Sequence, residues 1–236
     1  MNVLSKRFAK IKEHFEKEAA VFDKLFFKVV PRYQEMMEAI IEAIPFPKQD
    51  KLKIIDLGCG TGNLTQKLIG AYPNAYVTCI DMAENMLKMA KAKLKRKPNV
   101  SFWLGDIRNF DYSGKYDVIV ASMVLHHIDK KDKVRFYRKL YNTLSKGGVF
   151  YVMDIFLSPG NYLQKLYIDK WKIFMKTNGL PKKEVDNMIA RHQREDRPVI
   201  FEDELSIMRK AGFTHVDVIL KHYNFIVYGV RRIRLK

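Results

Sequence analysis

The sequence predicts an α/β fold in which helices cover both faces of a mostly parallel sheet. Apolar strand-like runs alternate with amphipathic helical stretches five times between Lys53 and Phe156, and this alternation is typical of parallel strands joined by crossover helices. The run Tyr116–Ala121 is continuous and β-branched, as in a parallel strand that is covered on both faces. A ligand is therefore expected at the carboxyl ends of the strands.

The N-terminal region, residues 1–44, is predicted to be helical and to precede the sheet. Apolar residues recur at helical spacing from about Ser5 to Phe26. A second helix is predicted from Pro31 to about Ala43, because proline suits the first turn of a helix.

Five strands and the helices between them make up the central part of the chain. The predicted strands are Lys53–Leu57, Ala75–Ile80, Val100–Leu104, Tyr116–Ala121 and Val149–Phe156. The predicted helices are Asn63–Ala71, Glu84–Lys97 and Lys130–Ser145, the last of them ended by Gly147 and Gly148. Two further strands, Val216–Leu220 and Phe225–Val230, follow a helix at Glu202–Ala211 and complete the sheet.

The segment 158–200 is predicted to be a helical cap inserted after the fifth strand. Its first helix has Leu163, Leu166, Tyr167, Trp171, Phe174 and Met175 on one face. A second helix spans Lys182–Arg194. Core packing accounts for most of the apolar face, but a cap above the carboxyl ends of the strands would also roof a substrate pocket.

A glycine-rich turn follows the first strand and opens the next helix. Gly58, Gly60 and Gly62 allow a sharp bend and let a ligand approach the backbone amides. Dinucleotide-binding folds use G-x-G-x-x-G, whereas this run is G-x-G-x-G and is preceded by Asp56, a poor neighbour for phosphate. An acid there suits a cationic amine, and the helix N-terminus can receive a carboxylate. The turn therefore favours an amino acid headgroup.

With this turn, Ile55–Gly62, the chain resembles the class I S-adenosylmethionine-dependent methyltransferases. The resemblance implies a single methyltransferase domain over residues 1–236, with a Rossmann-like seven-stranded sheet in the order 3-2-1-4-5-7-6 and an antiparallel last strand. It also implies a transferase whose cofactor is S-adenosyl-L-methionine. Asp56, Gly58, Cys59 and Gly60 would then surround the headgroup of the cofactor.

The resemblance continues at the ends of the next strands. Asp81 lies about 20 residues beyond the glycine turn, where an acid is positioned to accept hydrogen bonds from two ribose hydroxyls. Met82 offers an apolar face beside the adenine. By the resemblance, Asp106 accepts the exocyclic amine of the adenine and Ile107 covers the ring.

The resemblance adds two candidate cofactor contacts, and a pair of histidines follows the fourth strand. Ser122, just past the fourth strand, would lie beneath the cofactor and the donated methyl group. Tyr33 is a candidate because the leader of many such enzymes folds over the cofactor, although its ring also suits simple core packing. His126 and His127 either tie their loop to the next helix or supply a general base, and the sequence leaves both open.

Composition limits the remaining possibilities. The chain has 236 residues, 47% of them hydrophobic, and its apolar runs are far shorter than the roughly 20 residues of a membrane span. Residues 1–17 are charged and contain no apolar signal segment, so we expect a cytoplasmic protein. Two cysteines, Cys59 and Cys79, are too few for a disulfide framework, and no metal site is expected.

The net charge of +17 is distributed along the chain. An excess of this kind is most often a solvated surface, although it also attracts RNA, anionic lipid or an acidic substrate. The basic stretches are Lys88–Lys97, Lys165–Lys183 and the tail Arg231, Arg232, Arg234 and Lys236. RNA and a second copy of the chain are therefore considered as partners.

A narrower resemblance is to the carboxy-S-adenosylmethionine synthases that serve tRNA wobble-uridine modification. It is carried by the length of the cap and by Val30–Tyr33, Ala211–Phe213 and Tyr223–Phe225. By this likeness Arg191 falls where the synthases hold a carboxylate. The alternative for Arg191 is a surface ion pair with Glu184 or Glu195.

One departure separates the chain from the synthases. They carry D-L-G-C-S in the turn, whereas this chain has Gly60 in place of the serine, as ordinary methyltransferases do. We therefore expect methyl transfer to a small, anionic acceptor, with no catalytic residue assigned. The alternatives are synthesis of the carboxylated cofactor, a methyltransferase associated with tRNA modification, and an RNA-associated protein that binds the cofactor without chemistry.

Overall fold

A seven-stranded sheet organises the computed structural model, which describes residues 6–232. The strand order is β3-β2-β1-β4-β5-β7-β6, which confirms the predicted topology. The strands are β1 Lys53–Leu57, β2 Tyr76–Asp81, β3 Val100–Leu104, β4 Tyr116–Ser122, β5 Leu144–Ile155, β6 Asp217–His222 and β7 Phe225–Arg231. Strands β1 to β5 pair in parallel, whereas β7 is antiparallel to both β5 and β6.

Helices cover both faces of this sheet. They are α1 Lys6–Glu18, α2 Phe22–Val29, α3 Tyr33–Ala43, α4 Asn63–Ala71, α5 Glu84–Leu94, α6 Lys130–Thr143, α7 Asn161–Thr177, α8 Lys182–Glu195 and α9 Phe201–Ala211. Short 3₁₀ turns lie at Ile107–Asn109 and Leu125–His127. No helix in the described part of the chain is long and apolar enough to cross a membrane.

The core has two parts because successive residues of a strand point to opposite faces. Ile54 packs with the cluster that includes α3, α4 and the cap, whereas its neighbour Ile55 packs with the cluster that includes α6 and α9. Both side chains are fully buried. The continuous apolar strands predicted from the sequence are thus covered on both faces.

The prediction of one continuous helix from Ser5 to Phe26 is wrong. The chain turns at residues 19–21 between α1 and α2, and the amide of Val21 donates to the carbonyl of Glu18. The turn brings the rings of Phe15 and Phe22 into edge contact, with centroids 6.1 Å apart. A straight helix would carry these two rings too far along one axis to meet in this way. Ser5 itself, like Arg234 and Lys236 of the basic tail, lies outside the described residues.

Three predicted boundaries also need correction. α3 begins at Tyr33 rather than Pro31, because Arg32 adopts a left-handed conformation with φ 56°. α5 ends at Leu94 rather than Lys97. β5 begins at Leu144 rather than at Val149, the first residue of the predicted strand.

The early start of β5 has a specific cause. Leu144 pairs with Tyr116 across an irregular register, and the amide of Gly147 donates to the carbonyl of Arg232. Gly147 has φ 80°, a conformation that glycine adopts without strain. The glycines therefore form an irregularity within the strand instead of the break predicted between helix and strand.

The cap leaves and re-enters the sheet through a narrow neck. An isolated bridge pairs Leu157 with Ile200, and the amide of Leu157 donates to the carbonyl of Val199 over 2.9 Å. On α7, the indole nitrogen of Trp171 donates to the carbonyl of Val29 over 2.7 Å. This bond joins the cap to the end of α2, so the cap and the N-terminal helices pack against each other.

A buried ion pair connects α6 to α9 behind the sheet. Lys133 Nζ lies 2.7 Å from Glu204 Oε2, and the two side chains are 2% and 0% exposed. Glu204 Oε1 also accepts hydrogen bonds from the hydroxyls of Tyr137 and Tyr228. A charge that is removed from water to this extent depends on its partners, because an unpaired buried ion is strongly unfavourable.

We expect Lys133→Ala to lower the free energy of unfolding by about 3–5 kcal/mol, because it leaves the Glu204 carboxylate without its cation. Urea denaturation followed by circular dichroism measures the change. Lys130→Ala is the matched control, since Lys130 joins the same two helices through Asp203 but is 58% exposed. Its removal should cost less than about 1 kcal/mol. Equal losses in the two variants would contradict the account of this pair.

Candidate cofactor site

The glycine-rich turn is built from three residues with positive φ. Gly58, Gly60 and Gly62 have φ values of 64°, 54° and 81°. Such values are unfavourable for residues that carry a Cβ atom. A Cβ atom at Gly58 would lie 2.4 Å from Cγ2 of Val124. The amide of Cys59 donates to the carbonyl of Ile80 over 2.9 Å. The turn is therefore held against the end of β2.

Asp81 completes this attachment through its side chain. Its Oδ2 accepts from the amide of Gly60 over 2.8 Å, and its Oδ1 accepts from the amide of Ala83 over 2.9 Å. Burial raises the pKa of Asp81 to about 6, although these backbone hydrogen bonds oppose the shift. The carboxylate is thus placed at the end of β2 with both oxygens oriented by backbone amides.

Asp56 presents an unpaired oxygen at the same turn. Its Oδ2 accepts from the hydroxyl of Thr65 over 2.5 Å, whereas its buried Oδ1 has no hydrogen-bond partner among the described residues. Burial raises the pKa of Asp56 to about 7. A buried carboxylate oxygen without a partner is costly unless a ligand satisfies it. An ammonium group is suited to this position.

One cavity of about 900 Å³ lies above the turn. All ten cofactor residues predicted from the sequence line it. They are Tyr33, Asp56, Gly58, Cys59, Gly60, Asp81, Met82, Asp106, Ile107 and Ser122.

The aromatic cover of this cavity was not assigned from the sequence. Phe8 and Phe15 on α1, together with Phe22 and Phe26 on α2, line the cavity opposite the strand ends. The apolar stripe of the leader was visible in the sequence, but the stripe does not identify its packing partner. The general expectation that the leader folds over this site agrees with the position of α1 and α2.

Arg108 also lines the cavity, and the sequence did not indicate it. Its Nε donates to both oxygens of Asp106 over 3.0 Å, and its guanidinium carbon lies 3.9 Å from the ring centroid of Phe8. The pairing raises the pKa of Arg108 despite partial burial. The carboxylate of Asp106 therefore already has a cationic partner and retains acceptor capacity for a further donor.

Tyr33 and Ser122 lie together at the other end of the cavity. Burial raises the pKa of Tyr33 to about 12, and a hydrogen bond with Ser122 partly opposes that shift. The Tyr33 hydroxyl is therefore protonated at neutral pH.

His126 ties its loop to the sheet. Its amide donates to Asp154 Oδ2 over 3.0 Å, its Nδ1 lies 2.5 Å from Asp154 Oδ1, and its carbonyl accepts from the amide of Arg197. Burial opposes protonation of His126, but the charges of Asp154 and Asp196 raise its pKa. His126 thus serves the structural role that was left open in the sequence, and its neighbour His127 lines the cavity.

Arg191 lies on α8 beside a second cavity. Its Nη1 lies 3.1 Å from Glu18 Oε1 and also contacts the ring of His14 on α1. Neither Glu184 nor Glu195, the partners considered from the sequence, makes this ion pair. Arg191 therefore joins the cap to the N-terminal helix, 28% exposed.

Several known proteins are similar to this chain. Residues 54–148 match a family model described as a methyltransferase domain. A carboxy-S-adenosyl-L-methionine synthase from Nautilia profundicola is 27% identical over 96% of this chain and 97% of its own length. The corresponding synthase from Campylobacter hominis is 28% identical over 94% and 96% of the two chains. Residues 54–148 therefore form a methyltransferase domain, and the chain is similar to these synthases along almost its whole length.

Other known proteins match this chain over a smaller share of one or both lengths. A malonyl-[acyl-carrier protein] O-methyltransferase from Ilyobacter polytropus is 28% identical over 63% of this chain and 52% of its own. Human N-acetylserotonin methyltransferase superposes with a TM-score of 0.65 at 18% identity, over 98% of this chain and 60% of the human one. A phosphoethanolamine N-methyltransferase from Haemonchus contortus gives 0.66 at 17% identity, over 92% and 46%. These superpositions show the fold alone.

The methyltransferase-domain match and the similarity to these enzymes confirm the prediction of an enzyme that uses S-adenosyl-L-methionine. The residues present fit that cofactor, because the unpaired oxygen of Asp56 suits its ammonium group and the carboxylates of Asp81 and Asp106 line the same cavity as acceptors.

We expect Gly58→Ala to destabilise the methyltransferase fold by about 2–4 kcal/mol, because the new methyl group would meet Val124 at a positive φ. Thermal and urea unfolding measure this loss. Gly70→Ala is the control, since Gly70 lies within α4 and has no atom within 4 Å of the added carbon. That change should stabilise the helix by about 0.5–1 kcal/mol. A Gly58→Ala protein as stable as the wild type would show that the turn tolerates a side chain.

Proposed function

We propose that this protein transfers the methyl group of S-adenosyl-L-methionine to a small molecule. The observation that carries the proposal is the convergence of ten sequence-predicted residues on one cavity, with a buried acceptor oxygen of Asp56 left for the ammonium group. When bound, the cofactor supplies a methyl group on a positively charged sulfur. The transfer needs little covalent help from the protein, so positioning and exclusion of water are the expected contributions.

The proposed contacts follow the two ends of the cavity. Asp81 accepts hydrogen bonds from the ribose hydroxyls, as the carboxylate is fixed by the amides of Gly60 and Ala83. Met82 and Ile107 cover the adenine, and the carboxylate of Asp106 accepts a hydrogen bond from the exocyclic amine of the adenine. These assignments use side chains at the ends of β2 and β3.

The other end of the cavity is assigned to the methionine part of the cofactor. Gly58, Cys59 and Gly60 provide the backbone beside the headgroup. Tyr33 and Ser122 lie beyond them and face the donated methyl group. The aromatic rings of α1 and α2 exclude water from this end of the site.

We assign the acceptor to the second cavity, of about 750 Å³, which adjoins the first. Arg191 lines it and is proposed to hold an anionic group of the acceptor, since a guanidinium pairs bidentately with carboxylate or phosphate. In the free protein Glu18 occupies this position at 3.1 Å. An anionic acceptor would therefore exchange with Glu18.

A second candidate function is synthesis of the carboxylated cofactor. It is favoured by similarity to carboxy-S-adenosyl-L-methionine synthases along 94–96% of this chain. Gly60 in the turn favours methyl transfer instead. A methyltransferase linked to tRNA modification and an RNA-associated role without chemistry rest mainly on the charge of +17.

The cellular setting is also a proposal. We propose a cytoplasmic enzyme that acts as one domain over residues 1–236, and homodimer formation is a further hypothesis. Sedimentation of the purified protein with and without RNA tests both partners.

The affinity for S-adenosylhomocysteine should fall as pH decreases through about 6. Below that pH the free protein carries a proton on Asp81, and the neutral acid is a weaker acceptor for two hydroxyls. Asp56, whose pKa is raised to about 7, loses the charge proposed for the ammonium group in the same range. Between pH 7.5 and pH 5 we therefore expect a loss of more than tenfold, about tenfold of it from the ionised fraction of Asp81. Isothermal titration calorimetry at several pH values measures it.

Asp81→Asn should reduce the loss between pH 7.5 and pH 5 by about tenfold, leaving the part that is due to Asp56, and should weaken binding at pH 7.5 by about tenfold or more. Asp117→Asn is the matched control. Asp117 also accepts a backbone amide, that of Lys53, but at the opposite end of the sheet. An unchanged profile in Asp81→Asn would remove Asp81 from the ribose site, and no binding by the wild type would refute the proposed function.

Product analysis separates the two enzymatic candidates. The protein is incubated with S-adenosyl-L-methionine alone, with prephenate, and with a mixture of cellular small molecules, and products are identified by mass spectrometry. We expect S-adenosylhomocysteine and a methylated compound from the mixture, and no carboxylated cofactor from prephenate. Formation of carboxylated cofactor only with prephenate would establish the alternative.

Arg191→Ala in the same assay should slow product formation at least tenfold and leave cofactor affinity unchanged, because the loss of a bidentate pair costs about 1.5–3 kcal/mol. Arg194→Ala is its control, since Arg194 lies on the same helix but is 62% exposed and pairs with Glu195. Equal rates in the two variants would leave Arg191 with a structural role alone.

A further inference from the structure

The two cavities share a wall. Six residues line both of them, namely Ile11, Phe15, Phe22, Phe26, Met123 and His127. A group that passes from a cofactor in the first cavity to an acceptor in the second must cross this wall. Among the six residues, His127 is the one whose side chain can exchange a proton at neutral pH.

His127 is buried without a hydrogen bond on either ring nitrogen within the described chain. The residue is 9% exposed, and its Nδ1 lies 3.2 Å from Asp196 Oδ1 without hydrogen-bond alignment. Its ring makes an edge contact with Phe15, with centroids 5.8 Å apart. Polar atoms that are buried in this way normally have partners. Asp196 lies beside Nδ1, whereas Nε2 has no partner within the described chain and is therefore suited to a ligand.

Charged groups approach His127 from several elements. Asp196 follows α8, His126 precedes it in the loop, Asp154 lies on β5, and the Arg7 guanidinium on α1 donates to the carbonyl of His127. The second cavity also carries His14, Glu18, Arg191, His192 and Glu195. Burial, and then the charge of His126, lower the pKa of His127. The imidazole is therefore neutral at pH 7 and able to accept a proton.

Chelation of a metal ion would be the competing use of His126, His127 and Asp196, whose ligand atoms lie within 4.8 Å of one another. Other bonds of these residues limit the set. His126 Nδ1 is bonded to Asp154, and Asp196 Oδ2 lies 2.7 Å from Nδ1 of His192. One ligand atom from each of the three residues remains, fewer than the four of a structural zinc site, and removal of metal by EDTA tests a three-ligand site.

The chemistry of the second cavity defines the kind of acceptor. Its walls include the rings of Phe15, Phe22, Phe26 and Trp171, which suit a flat apolar molecule. The polar group nearest the cofactor side is the imidazole of His127. A hydroxyl on an aromatic ring combines both features, because it is flat and its proton is acidic enough for an imidazole to accept in the transition state.

We propose that the second cavity binds a phenol and that His127 accepts its hydroxyl proton during methyl transfer. This inference rests on the proposed function. The acceptor oxygen gives its proton to Nε2 of His127 and gains the methyl group, whose former bonding electrons remain on the sulfur of the cofactor. The proton then passes from His127 to solvent. Asp196, on the Nδ1 side, is a positioning residue, and Arg191 in the same cavity would accommodate a carboxylate substituent on the ring.

The chain contains its own reporter for this cavity. It has two tryptophans, and Trp171 lines the second cavity, whereas Trp103 lies on β3. In a Trp103→Phe background, 4-nitrophenol is titrated with and without saturating S-adenosylhomocysteine after dialysis against EDTA. Fluorescence of Trp171 reports binding, and the absorbance of the coloured phenolate reports ionisation.

We expect saturable quenching, with the bound probe at pH 6 ionised several-fold more than the free probe. His127→Gln should retain the quenching and lose the excess of phenolate, because the amide keeps polar atoms but accepts no proton. His14→Gln is the matched control, since His14 lines the second cavity but not the shared wall. It should retain both signals.

Absence of saturable quenching would overturn the assignment of a phenol to this cavity. Equal ionisation in the wild type and His127→Gln, or loss of the excess only in His14→Gln, would remove His127 as the base. An excess of phenolate that appears only when EDTA is omitted would assign it to a bound metal ion and likewise overturn the proposal. Calorimetry with S-adenosylhomocysteine on the same samples tests the proposed function. The phenol is also titrated in the absence of S-adenosylhomocysteine, so a failure of cofactor binding is distinguished from a failure of phenol binding.

Discussion

The carboxylate of Asp81 is the interaction on which the site depends. It accepts hydrogen bonds from the backbone amides of two segments, Gly60 in the turn after β1 and Ala83 ahead of α5. These bonds fix the positions of the ends of β1 and β2 relative to each other. The cost of keeping that carboxylate and Asp56 in a buried position is visible in their raised pKa values. Positive φ at Gly60 allows its amide to point at Asp81. The floor of the cavity follows from these bonds.

The cofactor residues could be predicted because parallel topology converts chain order into position. Asp81 and Asp106 follow successive strands, and parallel neighbours end at the same edge of the sheet. The side chains that close the cavity could not be predicted in this way. Phe8 and Phe22 belong to an apolar stripe whose spacing shows that one face is buried but does not identify its partner. Likewise Arg191 pairs with Glu18 across 173 positions of sequence, whereas sequence reasoning finds partners mainly within one helix.

The errors in the fold have a common physical origin in tertiary contacts that override local signals. Helical periodicity continues through residues 19–21, yet the chain turns there because Phe15 and Phe22 pack against each other over the cavity. Gly147 and Gly148 indicate a break in the sequence, yet the amide of Gly147 pairs with Arg232 and the strand begins before it. In both places long-range packing or pairing decides the boundary, and local composition carries no record of it.

The excess positive charge of +17 lies mainly on the surface and not in the two cavities. The arginines that line the two cavities, as far as the described chain extends, are Arg108 and Arg191, and each has a carboxylate partner, Asp106 and Glu18. An acceptor that enters the second cavity therefore meets compensated charges and apolar rings. Affinity for an anionic substituent would come from exchange with Glu18, whose own release into water offsets part of the cost. The excess of lysine on the surface would instead raise the local concentration of anionic molecules before they reach the cavity, an effect that weakens as salt increases.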